Sequence, residues 1–177
     1  MPSRLFRFIK DRQAASAVEF ALIAPVMVLL LLGSFDIARA IEVKTKVTTL
    51  ARTISDFVTQ SETISPAELA NLFEASKTIL APYTDSPEVL SIHVESIRRS
   101  RDGTFRIDWS YPPKDASDRA TSIVPADESV VKTDVTYVHR LHFASYLFGQ
   151  LGWDNITLSS TSSMTPRWGA PVEAVNF

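Results

Sequence analysis

Residues 18–36 read Val-Glu-Phe-Ala-Leu-Ile-Ala-Pro-Val-Met-Val-Leu-Leu-Leu-Leu-Gly-Ser-Phe-Asp. From Phe20 to Phe35 there are sixteen residues without a charge. As a helix, at about 1.5 Å per residue, they span about 24 Å. A bilayer core is about 30 Å thick and takes roughly 20 residues. A spanning helix must therefore borrow from Ala14, Ala15, Ala17 and Val18, which brings Glu19 to the membrane edge. An ionised side chain at mid-bilayer costs roughly 2.5–3.5 kcal/mol, and each Leu, Ile, Phe or Val returns about 0.3–0.6 kcal/mol. Val18 to Phe35 holds eleven such residues, together worth about 5 kcal/mol. Insertion is favourable despite Glu19.

The flanks give the orientation. Arg4, Arg7, Lys10 and Arg12 crowd the first twelve residues against Asp11 alone, whereas Asp36, Arg39, Glu42 and Lys44 on the far side are mixed. The positive-inside rule places the N-terminus in the cytoplasm. The competing reading is a cleaved signal peptide: Ala38-Arg39-Ala40 has the small-x-small form of such a site, and the mature chain would begin at Ile41. The apolar run is long for a signal peptide, and the helical pattern does not stop at Ala40.

The bulk numbers allow one modest domain beside this segment. The chain has 177 residues, 45% hydrophobic and 10% aromatic, enough for a core. Its net charge of −2 offers nothing for nucleic acid. Without residues 1–14 it would be about −5. There is no cysteine, which excludes disulfides, thiolate catalysis and cysteine-ligated zinc.

Beyond the apolar run, Ile37, Ile41, Val47, Leu50, Ile54, Phe57 and Val58 recur mostly at steps of three or four, as on an amphipathic helix. No Gly or Pro interrupts residues 34–65. One helix is predicted from about Ala14 to Thr59, its first half in lipid and its second half laying a stripe on a domain. Ser65-Pro66-Ala67-Glu68 is a capping box that opens a second helix, with Leu69, Leu72, Phe73, Ile79 and Leu80 on its buried face and Pro82 ending it. From Glu88 the period becomes two. Leu90, Ile92 and Val94 form one strand, and Phe105, Ile107, Trp109 and Tyr111 another, with Asp102-Gly103 turning the chain between them. Val131 to His139 and Ile156 to Met164 alternate likewise, and Pro166 closes the last strand. The predicted class is α+β: a long N-terminal helix, transmembrane then amphipathic, and a second helix packed on a roughly four-stranded antiparallel sheet.

Phe143 to Trp153 is rich in apolar and aromatic residues. It is read either as a loop folded back on the core or as an exposed tip that touches a partner or the membrane surface. Enzymatic readings find little. His139 and His142 are three apart near a strand end, a spacing that does not put both on one face, and no His-Glu pairing at helical spacing offers a metal site. Neither a P-loop nor a nucleophile elbow is present, and five glycines leave little for phosphate cradles. Arg98, Arg99, Arg101 and Asp102 read as a solvated hairpin turn. The chain is read as a non-enzyme without cofactor or metal.

Gln13-Ala14-Ala15-Ser16-Ala17-Val18-Glu19-Phe20-Ala21-Leu22-Ile23-Ala24-Pro25, followed by Leu29 to Leu32 and Gly33, resembles the N-terminal signature of the TadE-like family. These are pseudopilins, or minor pilins, of the tight-adherence (Tad, or Flp) type IVc pilus system. The stretches 134–137 and 156–164 resemble the family's closing strands more loosely. The resemblance implies a type IV pilin-like fold and cleavage by an inner-membrane prepilin peptidase between Ala14 and Ala15, which makes Glu19 the fifth residue of the mature chain. Pilin-type sites usually carry Gly before the cut, and Ala14 departs from that, so an uncut chain stands beside the processed one. The resemblance implies peptidase recognition at Glu19 and Phe20. For Glu19 the residues themselves offer two roles: neutralising a neighbouring subunit's new amine, which is a registration device, or snorkelling at the membrane edge. Pro25 removes a hydrogen bond to the Ala21 carbonyl and is expected either to kink the helix or to be simply tolerated. Asp115-Ala116-Ser117 resembles the start of the metal-ion-dependent adhesion motif of the larger TadG-type relatives, but Arg119 stands where that motif needs a hydroxyl.

The organisation expected is a basic cytoplasmic leader at 1–14, a transmembrane helix at 15–36, an amphipathic stem at 37–60 and a periplasmic α+β domain at 61–177. The function expected is that of a pseudopilin or minor pilin in Tad pilus assembly, single-pass in the bacterial inner membrane and able to enter the pilus. Its implied partners are the membrane, the prepilin peptidase, other pilins and pseudopilins, and the Tad secretion machinery, with no nucleic acid. The alternative is a membrane-anchored periplasmic scaffolding or binding module unrelated to pili.

Overall fold

The computed structural model describes residues 12–83, 89–113, 128–152 and 154–177. Arg4, Arg7, Lys10 and the Asp115-Ala116-Ser117 stretch lie outside the described residues. In chain order the elements are α1 (Arg12–Gln60), β1 (Thr63–Ile64), α2 (Pro66–Ser76), a 3-10 turn (Lys77–Leu80), β2 (Leu90–Arg99), β3 (Phe105–Tyr111), β4 (Ser129–Arg140), α3 (Phe143–Phe148), a second 3-10 turn (Gly149–Leu151), β5 (Asn155–Met164) and β6 (Glu173–Ala174). The class is α+β, as predicted. The chain divides into two compact units. One is built from the chain up to Arg39 together with Leu141–Asp154, the other from Ala40–Arg140 and Asn155–Phe177.

The larger unit is a four-stranded antiparallel sheet in the order β3-β2-β4-β5, covered on one face by helices. The alternation read in the sequence sets that face. Leu90, Ile92, Val94, Trp109, Val131, Val135, Tyr137 and Leu158 belong to the buried core. From α1 the core takes Val43, Val47, Leu50, Ile54 and Val58, and from α2 and its 3-10 turn Leu69, Phe73 and Leu80. The α1 stripe therefore differs from the sequence expectation. Val43 is fully buried, while Ile37, Ile41 and Phe57 are exposed. The reason is position along the helix rather than angle: Ile37 and Ile41 precede Val43, the first apolar residue of α1 that the core buries, whereas Ser55 and Thr59, at the same angles round the axis, are buried.

Local chemistry fixes the ends of these elements. Ser65 and Glu68 make the reciprocal capping box at the start of α2. Gly103, at φ 84°, provides the left-handed residue of the β2–β3 turn. Asp102 accepts from the Thr104 backbone N–H at 3.0 Å and from its hydroxyl at 2.7 Å, which holds its carboxyl below the usual range. The last carbonyls of a helix lack intrahelical donors. Here the chain after β5 returns to supply them: the Arg167 N–H donates to the Thr59 carbonyl at 3.0 Å, and the Trp168 indole donates to the Gln60 carbonyl at 2.9 Å. That return also makes a parallel two-stranded pair, β1 with β6, and seats the Val172 carbonyl on the Trp109 indole N–H at 2.8 Å. None of this C-terminal packing was anticipated from the sequence.

The smaller unit contains the first part of α1 and the segment after β4. Phe143–Phe148 is a short helix, and the Asp36 carboxylate accepts hydrogen bonds from the backbone N–H groups at its start.

Candidate functional site: an exposed apolar helix

The first half of α1 is apolar on every face, so packing against one side cannot bury it. Val18, Phe20, Leu22, Ile23, Val26, Met27, Val28, Leu29, Leu30 and Leu31 are all exposed, Phe20 at 68% and Leu30 at 69%. This is the one helix among the described residues long and apolar enough to cross a membrane. The hydroxyl of Ser34 is satisfied within the helix, donating to the Leu31 carbonyl at 2.7 Å, and so adds no unpaired donor to this surface.

The residues singled out from the sequence all lie in this half. Ala14 and Ala15 are the third and fourth residues of α1. Glu19 and Phe20 follow one turn later and are exposed. Ala15 and Glu19 are four residues apart on a continuous helix, so they share a face. Among the described residues Glu19 has no ion-pair partner. Pro25 stands inside the helix, which runs on through it, and the Ala21 carbonyl receives no N–H from that position.

Sequence reasoning missed Asp36. It is the first charge after the apolar run, and it is only 4% exposed. Its carboxylate accepts three backbone N–H groups, from His142 at 3.1 Å, Phe143 at 2.9 Å and Ala144 at 2.8 Å. These are free donors at the start of α3, and a carboxylate is the group that best satisfies them. Beside it the Phe35 and Phe143 rings meet edge to face at 5.7 Å, and the Arg39 guanidinium lies 4.6 Å above the Phe35 ring. The partner residues lie 106 to 108 positions away in the chain, so no local signal marks the contact.

A second cluster of ionisable groups lies on the sheet. Lys132 pairs with Glu95 at 3.1 Å and Asp134 at 2.7 Å, and His93 is 3.9 Å from Glu95. Burial pushes the Glu95 carboxyl up, but His93 and Lys132 outweigh it and hold the carboxyl below its usual range. Burial likewise pushes Lys132 down, while Asp134 and Glu95 outweigh it and hold the ammonium above its usual range. Each charge is compensated, which is what a structural ion network requires. His139 is buried and packs on Tyr83 and Tyr137, while His142 is exposed. Among the described residues no three His, Cys, Asp or Glu side chains are placed to hold a metal.

No curated protein and no solved structure matches the chain. One family model does match, over the helix just described and through most of its buried stripe: residues 14–55 are similar to the TadE-like protein family.

Proposed function

We propose that the chain is a pseudopilin or minor pilin of a Tad (Flp, type IVc) pilus. It is held in the bacterial inner membrane by the first half of α1, with the N-terminus cytoplasmic. In this reading residues 1–14 form the leader, 15–36 the transmembrane helix, 37–60 the stem and 61–177 the periplasmic domain. The observation that carries the reading is the coincidence of the TadE-like match with a helix whose first half is apolar all round and exposed. Burial in lipid, or among identical helices in a filament, gives that surface the covering the described fold does not.

The chemistry follows from the order of residues. A cut between Ala14 and Ala15 falls in the first turn of α1, where backbone N–H groups lack intrahelical partners and unwinding costs little. It leaves an ammonium at Ala15 on the Glu19 face. An unpaired carboxylate in a low-dielectric bundle is costly and a paired one tolerable, so Glu19 of one subunit meets the amine of its neighbour and sets their register. Pro25 loosens the helix nearly two turns above Glu19, because it removes a hydrogen bond to the Ala21 carbonyl. The partners in this reading are the prepilin peptidase, other pilins and pseudopilins, and the Tad secretion machinery.

The test is the mass of the chain from membranes of a host with the peptidase and of one without it. The reading predicts loss of residues 1–14 in the first host only. An identical, uncut chain in both would contradict processing. If Glu19→Ala also left co-purification with pilins unchanged, a membrane-anchored periplasmic scaffold unrelated to pili would be favoured instead.

A further inference from the structure

We propose that residues 143–152 form an interfacial foot on the bilayer surface, positioned by Asp36 at the end of the membrane-spanning run. The inference rests on the reading that Phe20–Phe35 lies in the membrane, and it assigns a lipid-facing role to a segment far away in sequence. Asp36 immediately follows the charge-free run. Its three hydrogen bonds to the amides of His142, Phe143 and Ala144 place the start of the segment at that level along α1. The Phe35–Phe143 contact fixes the same level from the side of the rings.

The segment's composition suits that depth. From Phe143 to Gly152 there is no charged residue, and Phe143, Tyr146 and Phe148 are aromatic. Tyr and Trp concentrate at membrane–water boundaries, where the ring leaves water and the polar tip keeps it. Tyr146 is 90% exposed, so in the protein itself its ring is uncovered. At six residues, α3 is far too short to cross a bilayer, and a charge-free aromatic segment of this length lies on the surface instead. Its ends are polar: Arg140 and His142 precede it and Asp154 follows. Held so, the foot limits how far α1 sinks into the membrane, and a subunit leaving the bilayer must lift it.

The chain contains no cysteine, so single nitroxide labels can be introduced without other changes. The experiment uses the full chain in vesicles of phosphatidylethanolamine and phosphatidylglycerol. Labels are placed at Tyr146→Cys, Leu30→Cys and, as an aqueous reference, the exposed Asn71→Cys. Collision rates with oxygen and with a water-soluble nickel chelate report depth. The expected result is a lipid-like ratio at Leu30, a water-like ratio at Asn71 and an intermediate one at Tyr146, which shifts to the Asn71 value when Asp36→Ala is added. A water-like Tyr146 beside a lipid-like Leu30 overturns the foot and leaves the membrane reading standing. A water-like Leu30 overturns both. Shielding of Tyr146 from both reagents overturns the foot in favour of a protein partner there. An intermediate ratio that survives Asp36→Ala removes Asp36 as its anchor.

Discussion

The two halves of α1 share one continuous backbone and have opposite surroundings. Between Val18 and Phe35 almost every position is apolar and most of the side chains are exposed. From Val43 to Val58 apolar positions recur every three or four residues, and Val43, Val47, Leu50, Ile54 and Val58 are fully buried. The difference lies in angular distribution. A stripe can be covered by one sheet face, whereas a helix apolar all round needs a solvent or a bundle on every side. Asp36 and Arg39 mark where one regime gives way to the other. The acid there is spent on the backbone amides of α3, and the guanidinium lies over Phe35.

Substitutions matched across the two halves can break this contrast. Leu50→Ala empties a fully buried site, and it is expected to cost about 2–5 kcal/mol in denaturant unfolding of the detergent-solubilised chain while membrane partition stays unchanged. Leu30→Arg does the reverse. It opposes insertion by about 3 kcal/mol, read as the fraction of chain integrated into membranes, and leaves the unfolding midpoint of the sheet unit where it was. If Leu30→Arg lowered that midpoint as much as Leu50→Ala, the halves would not differ in kind.

Smaller changes sharpen the boundary. Ser65→Ala removes the N-cap of α2 and is expected to lower stability by about 1 kcal/mol, with no effect on insertion. Ile41→Ser alters an apolar residue that is 63% exposed just above the run, so its cost in unfolding should stay within about 0.5 kcal/mol. Val43→Ala, two residues on, should cost several times more because that side chain is fully buried.

Much of this was legible in the sequence, for physical reasons specific to each element. The capping box at Ser65 to Glu68 is a local code, and the structure keeps both of its hydrogen bonds. The strands show themselves by a period of two, and Asp102-Gly103 by the left-handed residue that its turn requires. The α1 stripe was legible only in part. Ile37, Ile41 and Phe57 fit the three-and-four spacing loosely yet are exposed, and no local signal marks Val43 as the first apolar residue of α1 that the core buries. Contacts between distant segments were not legible at all. The β1–β6 pair, the Trp109 indole on the Val172 carbonyl and the Asp36 carboxylate on the α3 amides each join residues with no sequence signal linking them. Among the candidate site residues, the chain pattern located Glu19, Phe20 and Pro25 on the exposed helix. Asp36 looked like an ordinary flanking charge.

The most direct test of the central claim is alkaline carbonate extraction of membranes from cells producing the full chain. The first half of α1, apolar on every face, should keep the chain in the membrane pellet. Release into the supernatant, as for a soluble chain beginning at Ile41, would contradict it.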